Sequence, residues 1–122
     1  MISTELKDIA VIEWGNTSLT KKAYQENGPY LGVSAAGCDG RMQHSEHETG
    51  TLVLSAIGAR CGKMFYPQEA FTAIKNTITI KPFEGTNSKY LFYFLNTYQI
   101  ASRGAGQPFI TKADTSKKKI PL

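Results

Sequence analysis

The sequence is short of the residues that mark most secreted modules and metalloenzymes. It holds two cysteines, Cys38 and Cys61, in 122 residues. That is too few for a disulfide framework, and neither sits in the Cys-x-x-Cys pair of a zinc knuckle. No apolar run approaches the roughly 20 residues of a membrane span, since the stretches around Leu52 and Leu91 are broken by Gly, Ser or Asn. The opening Met1-Ile-Ser-Thr-Glu-Leu-Lys lacks the basic segment and long apolar core of a secretion signal. These absences set the expectation of a soluble, cytoplasmic protein with reduced thiols and no membrane contact.

Catalytic constellations are equally scarce. Gly58-Ala-Arg-Cys-Gly62-Lys63 is one residue short of a phosphate-binding P-loop, and Met64 stands where a magnesium-binding Ser or Thr is required. Gly104 and Gly106 have no third glycine at Phe109, so a dinucleotide fingerprint is not met. His44-Ser-Glu-His47, with Glu46, Glu48, Cys38 and Cys61, contains metal-binding residue types, the two histidines at a tight spacing that a metal could exploit, but without a Cys-x-x-Cys pair it reads more simply as a solvated loop. Nothing in the chain places an imidazole beside either sulfur. The expectation is a non-catalytic protein with neither cofactor nor metal.

What is present suits one compact α+β domain, and 41% hydrophobic residues supply its core. Strand signals fall at Ile9–Trp14, Tyr30–Ser34, Thr51–Ser55, Lys63–Tyr66, Phe71–Ile74 and Thr77–Ile80, each rich in β-branched or aromatic residues and most bounded by Gly, Asn or Ser. Together they predict a twisted, mostly antiparallel sheet of consecutive strands. Gly37-Cys-Asp-Gly-Arg41 reads as a loop or hairpin tip, because Asp-Gly favours a tight turn. Thr17 or Ser18 is positioned to cap a short helical turn through Lys21, Lys22 and Tyr24 that ends at Asn27-Gly28-Pro29. Asn87 or Ser88 caps the one main helix, running to about Ile100, whose Leu91, Leu95, Phe92, Phe94 and Tyr98 are expected to pack on the sheet. Thr111 caps a further turn through Ser116, and Ile120-Pro-Leu122 reads as a last strand.

The net charge is +4, from fourteen Lys and Arg against ten Asp and Glu. A basic excess of this size permits a polyanionic partner without requiring one, so its distribution decides. Two glycine-bent loops carry the side chains that hold phosphates and read base edges. One has Arg60 between Gly58 and Gly62 with Lys63 beyond; the other has Arg103 and Gln107 around Gly104 and Gly106. Lys21, Lys22, Arg41, Lys112 and the Lys117–Lys119 run add dispersed charge. The predicted site is therefore Arg60, Lys63, Arg103, Gln107, Arg41, Lys21, Lys22 and Lys112, facing duplex DNA.

The block Gly50-Thr-Leu-Val-Leu-Ser-Ala-Ile-Gly58-Ala-Arg-Cys-Gly62-Lys63 resembles the strand-and-turn signature of type I restriction-modification specificity subunits. A second block agrees in order and separation: after an aromatic-rich helix, Gly104-Ala-Gly-Gln-Pro-Phe-Ile110 leads to Lys119-Ile-Pro-Leu122. The likeness spans most of the chain. It implies a target-recognition domain that reads half of an interrupted DNA sequence and confers specificity on separate methyltransferase and restriction subunits. The chain departs from the family plan in having one recognition unit and no heptad-bearing spacer helix, so a second recognition domain or a homodimer would complete the reader. Two rival readings are a protein-interaction module that kept the fold, and a small metal-dependent nuclease using His44, Glu46, His47 or Glu48.

Overall fold

A computed structural model describes residues 2–121. The strands are β1 (Ser3–Glu5), β2 (Ala10–Trp14), β3 (Tyr30–Ser34), β4 (Gly37–Met42), β5 (Leu52–Ser55), β6 (Met64–Phe65), β7 (Phe71–Ala73), β8 (Thr77–Pro82) and β9 (Lys119–Pro121). The helices are α1 (Ser88–Thr97) and α2 (Lys112–Ser116), and 3-10 turns cover Leu6–Asp8 and Lys21–Ala23. Leu122, read from the sequence as part of the last strand, lies outside the described residues, as does Met1.

The strands form three sheets, with orders β2-β8-β5-β6, β4-β3-β7 and β1-β9. The four-stranded sheet is antiparallel throughout, and β3 pairs with β7 in parallel. The expected α+β class with antiparallel pairing holds, but the strands are not laid down consecutively: β2 pairs with β8, from Ala10 opposite Pro82 to Trp14 opposite Ile78. Strand β5 lies inside this sheet, between β8 and β6. All four of its residues are buried, which follows from an apolar run sandwiched on both faces. Leu52 and Leu54 join Leu91 and Leu95 of α1, Ile110 and Ile120 in the larger core. Val53, pointing the other way, meets Val33, Phe71 and Ala73 of the second sheet. The layers are thus sheet, sheet, helices.

Local chemistry fixes the ends of both helices. Asn87 accepts a hydrogen bond from the Tyr90 amide at the start of α1, and Thr111 forms a reciprocal capping box with Asp114 in α2. The turn at Lys21–Ala23 is capped by Thr20 rather than Thr17 or Ser18.

Two expectations are corrected. Gly37–Arg41 is not a loop: it lies in β4, and the reversal occurs at Ala35–Ala36. The reason is tertiary, since the Tyr24 ring lies over Gly32 and Gly40 where any side chain would strike it, and its hydroxyl donates to Asp39 Oδ1 at 2.7 Å. The aromatic residues of α1 are also not all core. Leu91 and Leu95 are fully buried, Phe92 and Phe94 partly so, and Tyr90, Tyr93 and Tyr98 are exposed. The helix ends at Thr97, three residues before Ile100.

Candidate nucleic-acid interface

The residues after β5 and those before α2 build one composite edge. After Ser55 the chain loops out and returns at Lys63, closed by Gly62 N–H donating to Ser55 O and Ser55 N–H to Lys63 O, both 2.9 Å. Within the loop the Cys61 amide donates to Gly58 O at 3.1 Å and the Lys63 amide to Arg60 O at 3.0 Å. Gly58 and Gly62 have φ of 116° and 97°, which side chains other than glycine's rarely tolerate, so the two glycines set the shape that pushes Arg60 outward. The second loop is a hairpin closed by Arg103 and Phe109, whose amides and carbonyls exchange hydrogen bonds of 2.7 and 3.0 Å. Gly104, next to Arg103, takes φ 92°, whereas Gly106 is in no such conformation and has open space at its missing side chain.

These loops are paired to each other. Ile57 and Phe109 form an antiparallel bridge, Gly58 N–H donates to Pro108 O at 3.0 Å, and Ile110 N–H to Ala56 O at 2.7 Å. Arg60, Lys63 and Gln107 are all exposed on them. Among the described residues, neither Arg60 nor Lys63 is in an ion pair. Two further turns stand at the same end of the molecule. Ser55 Oγ donates to Ala35 O of the β3–β4 turn at 2.8 Å, and Ala56 N–H to Asn76 O of the β7–β8 turn at 3.0 Å.

The remaining predicted residues divide. Arg103 directs Nε and Nη2 at the Asp114 carboxylate, at 2.8 and 2.7 Å, so its fork is occupied and it braces the loop against α2. That guanidinium, with help from Thr111, holds the Asp114 carboxyl well below the usual carboxylate range. Arg41 is further from the loop pair and fully engaged: Nε donates to Gly28 O, Nη2 to Pro29 O, and Nη1 pairs with Glu69 at 3.0 Å. Lys21 pairs with Asp39 at 2.8 Å beside the β3–β4 turn. Lys22 and Lys112 are exposed, the latter at the first position of α2 just after the hairpin. Lys75 and Asn76, which the sequence reading left out of the site, link β7 to β8 at this end, and the signal for a tight link is an Asn between two strand signals, since Asn tolerates positive φ. Asn76 takes φ 74° there.

The residues considered for catalysis have the following surroundings. Burial pushes both thiols up, helped at Cys38 by Asp39 and Glu69, which is the reverse of an activated nucleophile. His47 stacks on Phe71 with ring centroids 5.2 Å apart. Among the described residues no group of three or more His, Cys, Asp or Glu stands together as a metal site, and no helix is long and apolar enough to cross a membrane.

Comparison with known proteins bears on the fold. The S subunit of a type I restriction-modification system from M. genitalium superposes with a TM-score of 0.82 at 17% identity, over 99% of this chain and 34% of that one. The HsdS subunit from Thermoanaerobacter tengcongensis gives 0.74 at 17%, over 99% and 32%. A chain from a structure addressing complex assembly and conformational transition of the type I R-M system gives 0.78 at 18%, over 99% and 33%. The chain thus spans about a third of the length of these structures. No curated protein matches it. Residues 3–122 match the model of the type I restriction modification DNA specificity domain, and the chain belongs to that family.

Proposed function

We propose that the chain is a single target-recognition unit, half of a specificity subunit, that binds double-stranded DNA in a sequence-specific way and catalyses nothing itself. One observation supports this reading: the Ile57–Phe109 bridge pairs the two loops that carry the exposed Arg60 and Gln107. Arg60 has a free planar fork for a guanine edge or a phosphate, and Gln107 an amide suited to adenine. Lys63, Lys112, Lys21 and Lys22 hold backbone phosphates, Arg103 contributes its remaining Nη1 edge, and Arg41 supports the Gly28–Pro29 bend from behind. Separate methyltransferase and restriction subunits act on the DNA it selects, and a second recognition domain or a second copy of the chain reads the other half-site.

Selecting duplexes from a random pool tests this directly. A single enriched motif is expected, with log affinity falling against log salt at a slope of about −5 for five or six phosphates. No enrichment and a slope near zero refute it. Arg60→Ala is expected to weaken the selected duplex by about 1–3 kcal/mol and to relax preference at one base pair. A protein-interaction module is the second reading, favoured by the exposed Tyr90 and Tyr93 on α1 and Tyr98 just after it; binding of a methyltransferase subunit with no DNA shift would establish it.

A further inference from the structure

A cavity of about 300 Å³ opens at the loop end between the β3–β4 and β7–β8 turns, and its walls include Thr20, Lys21, Ser34, Lys75 and Asn76. Two of its lining residues are cations and none is acidic. The turn that carries Lys75 is held on every side. The Lys75 amide donates to Leu19 O at 3.0 Å, Thr77 Oγ1 donates to Ile74 O at 2.7 Å, and Asn76 O accepts from Ala56. Ala56 precedes Ile57, the residue that bridges the two reading loops, so the cleft and those loops share one rigid frame. The opposite wall is fixed as well: Asp39 accepts from Tyr24 and Ser34 and holds Lys21 at 2.8 Å. Lys75 itself is exposed and is in no ion pair among the described residues.

We propose that this cleft seats one phosphate of the DNA backbone, with Lys75 as its principal counter-charge, and so sets the register in which Arg60 and Gln107 meet the bases. The proposal rests on the DNA-reading function above. Lys75 is a positioning residue, because a phosphate contact carries no sequence information of its own. Lys75 lines the cleft and is exposed, so its charge is available to an anion without first being drawn out of the core.

The test uses the whole chain, a duplex enriched from a random pool and a scrambled duplex of equal length. Lys75→Ala is expected to make the salt slope shallower by about 0.9 and to weaken both duplexes by a similar factor, roughly five- to tenfold at 0.1 M salt. The ratio between the two duplexes stays unchanged. Lys75→Arg is expected to restore the slope, and Lys81→Ala, at the far end of β8, to leave it unaltered. A Lys75→Ala slope equal to that of the unmodified chain overturns the cleft assignment while leaving the loop reading intact. So does a loss confined to the enriched duplex, which would make Lys75 a base-reading group. Absence of binding by the unmodified chain overturns the functional reading itself.

Discussion

The two ends of the β5–β8 pair carry opposite charge on one scaffold. At the end where Ser55 faces Thr77, cations reach solvent from several turns, and the carboxylates there, Asp39 and Asp114, are each engaged by Lys21 or Arg103. At the end where Leu52 faces Ile80, a cavity of about 610 Å³ is lined by Glu46, Glu48 and Glu84 with Lys81 as its one cation. A net charge of +4 conceals this division. It shows that a modest total can hide a surface with one face suited to a polyanion and another that repels it.

Charge reversal is the harshest way to break the comparison. Arg60→Glu combined with Lys75→Glu is expected to lower DNA affinity by roughly 100-fold or more at low salt, while Glu48→Lys with Glu84→Lys changes it by less than about threefold. A fluorescence titration of the two double variants beside the unmodified chain decides, and equal losses from both pairs would dissolve the distinction. A smaller effect comes from Asp39→Asn, which keeps one acceptor oxygen, puts an NH2 donor where the other stood so that Tyr24 or Ser34 must turn its hydroxyl to accept, and frees the Lys21 charge. Affinity is expected to rise about twofold to fivefold, with a steeper salt slope.

Stability sharpens the contrast further. Thr111→Ala removes the cap of α2, for about 1 kcal/mol and about 4 °C in Tm by calorimetry. It is expected to loosen the Arg103–Phe109 hairpin more than the acidic end. The pH dependence is the smallest effect. Burial raises Asp39, but the hydrogen bonds from Lys21, Tyr24 and Ser34 outweigh it and hold the carboxyl below its ordinary range. Burial likewise lowers His47, against the pull of Glu46 and Glu13. Both folded values lie below the unfolded ones, so each group stabilises above its unfolded value and that contribution is lost as pH falls. The acidic end should therefore begin to weaken below about pH 6.5 and the loop end only below about pH 4. Urea melts of His47→Gln across that range should show a flatter profile than the unmodified chain; identical profiles would remove His47 from the account.

Much of the loop end was legible in the sequence because its chemistry is local. Gly58 and Gly62 around Arg60 announced a backbone needing positive φ, and Asn87 and Thr111 announced helix starts. What escaped was non-local. Nothing near Gly37–Arg41 reveals that the Tyr24 ring, thirteen residues before Gly37, lies across the glycines and turns a loop-like stretch into a strand. The pairing of β2 with β8 joins residues nearly seventy positions apart, which local periodicity cannot see. The tyrosines of α1 carried the same hydrophobic signal as its leucines, yet the helix has only one face to bury. Arg41 and Arg103 looked like free cations, since nothing local shows that Glu69 and Asp114 meet them.

Amide chemical shifts followed through titration with an enriched duplex test the division most directly. Perturbation is expected at Ile57–Lys63, Arg103–Phe109 and Lys75–Asn76, with Glu46–Thr51 and Phe83–Thr86 unmoved. Shifts centred on Glu46–Thr51, or along α1 with the two loops silent, would contradict it.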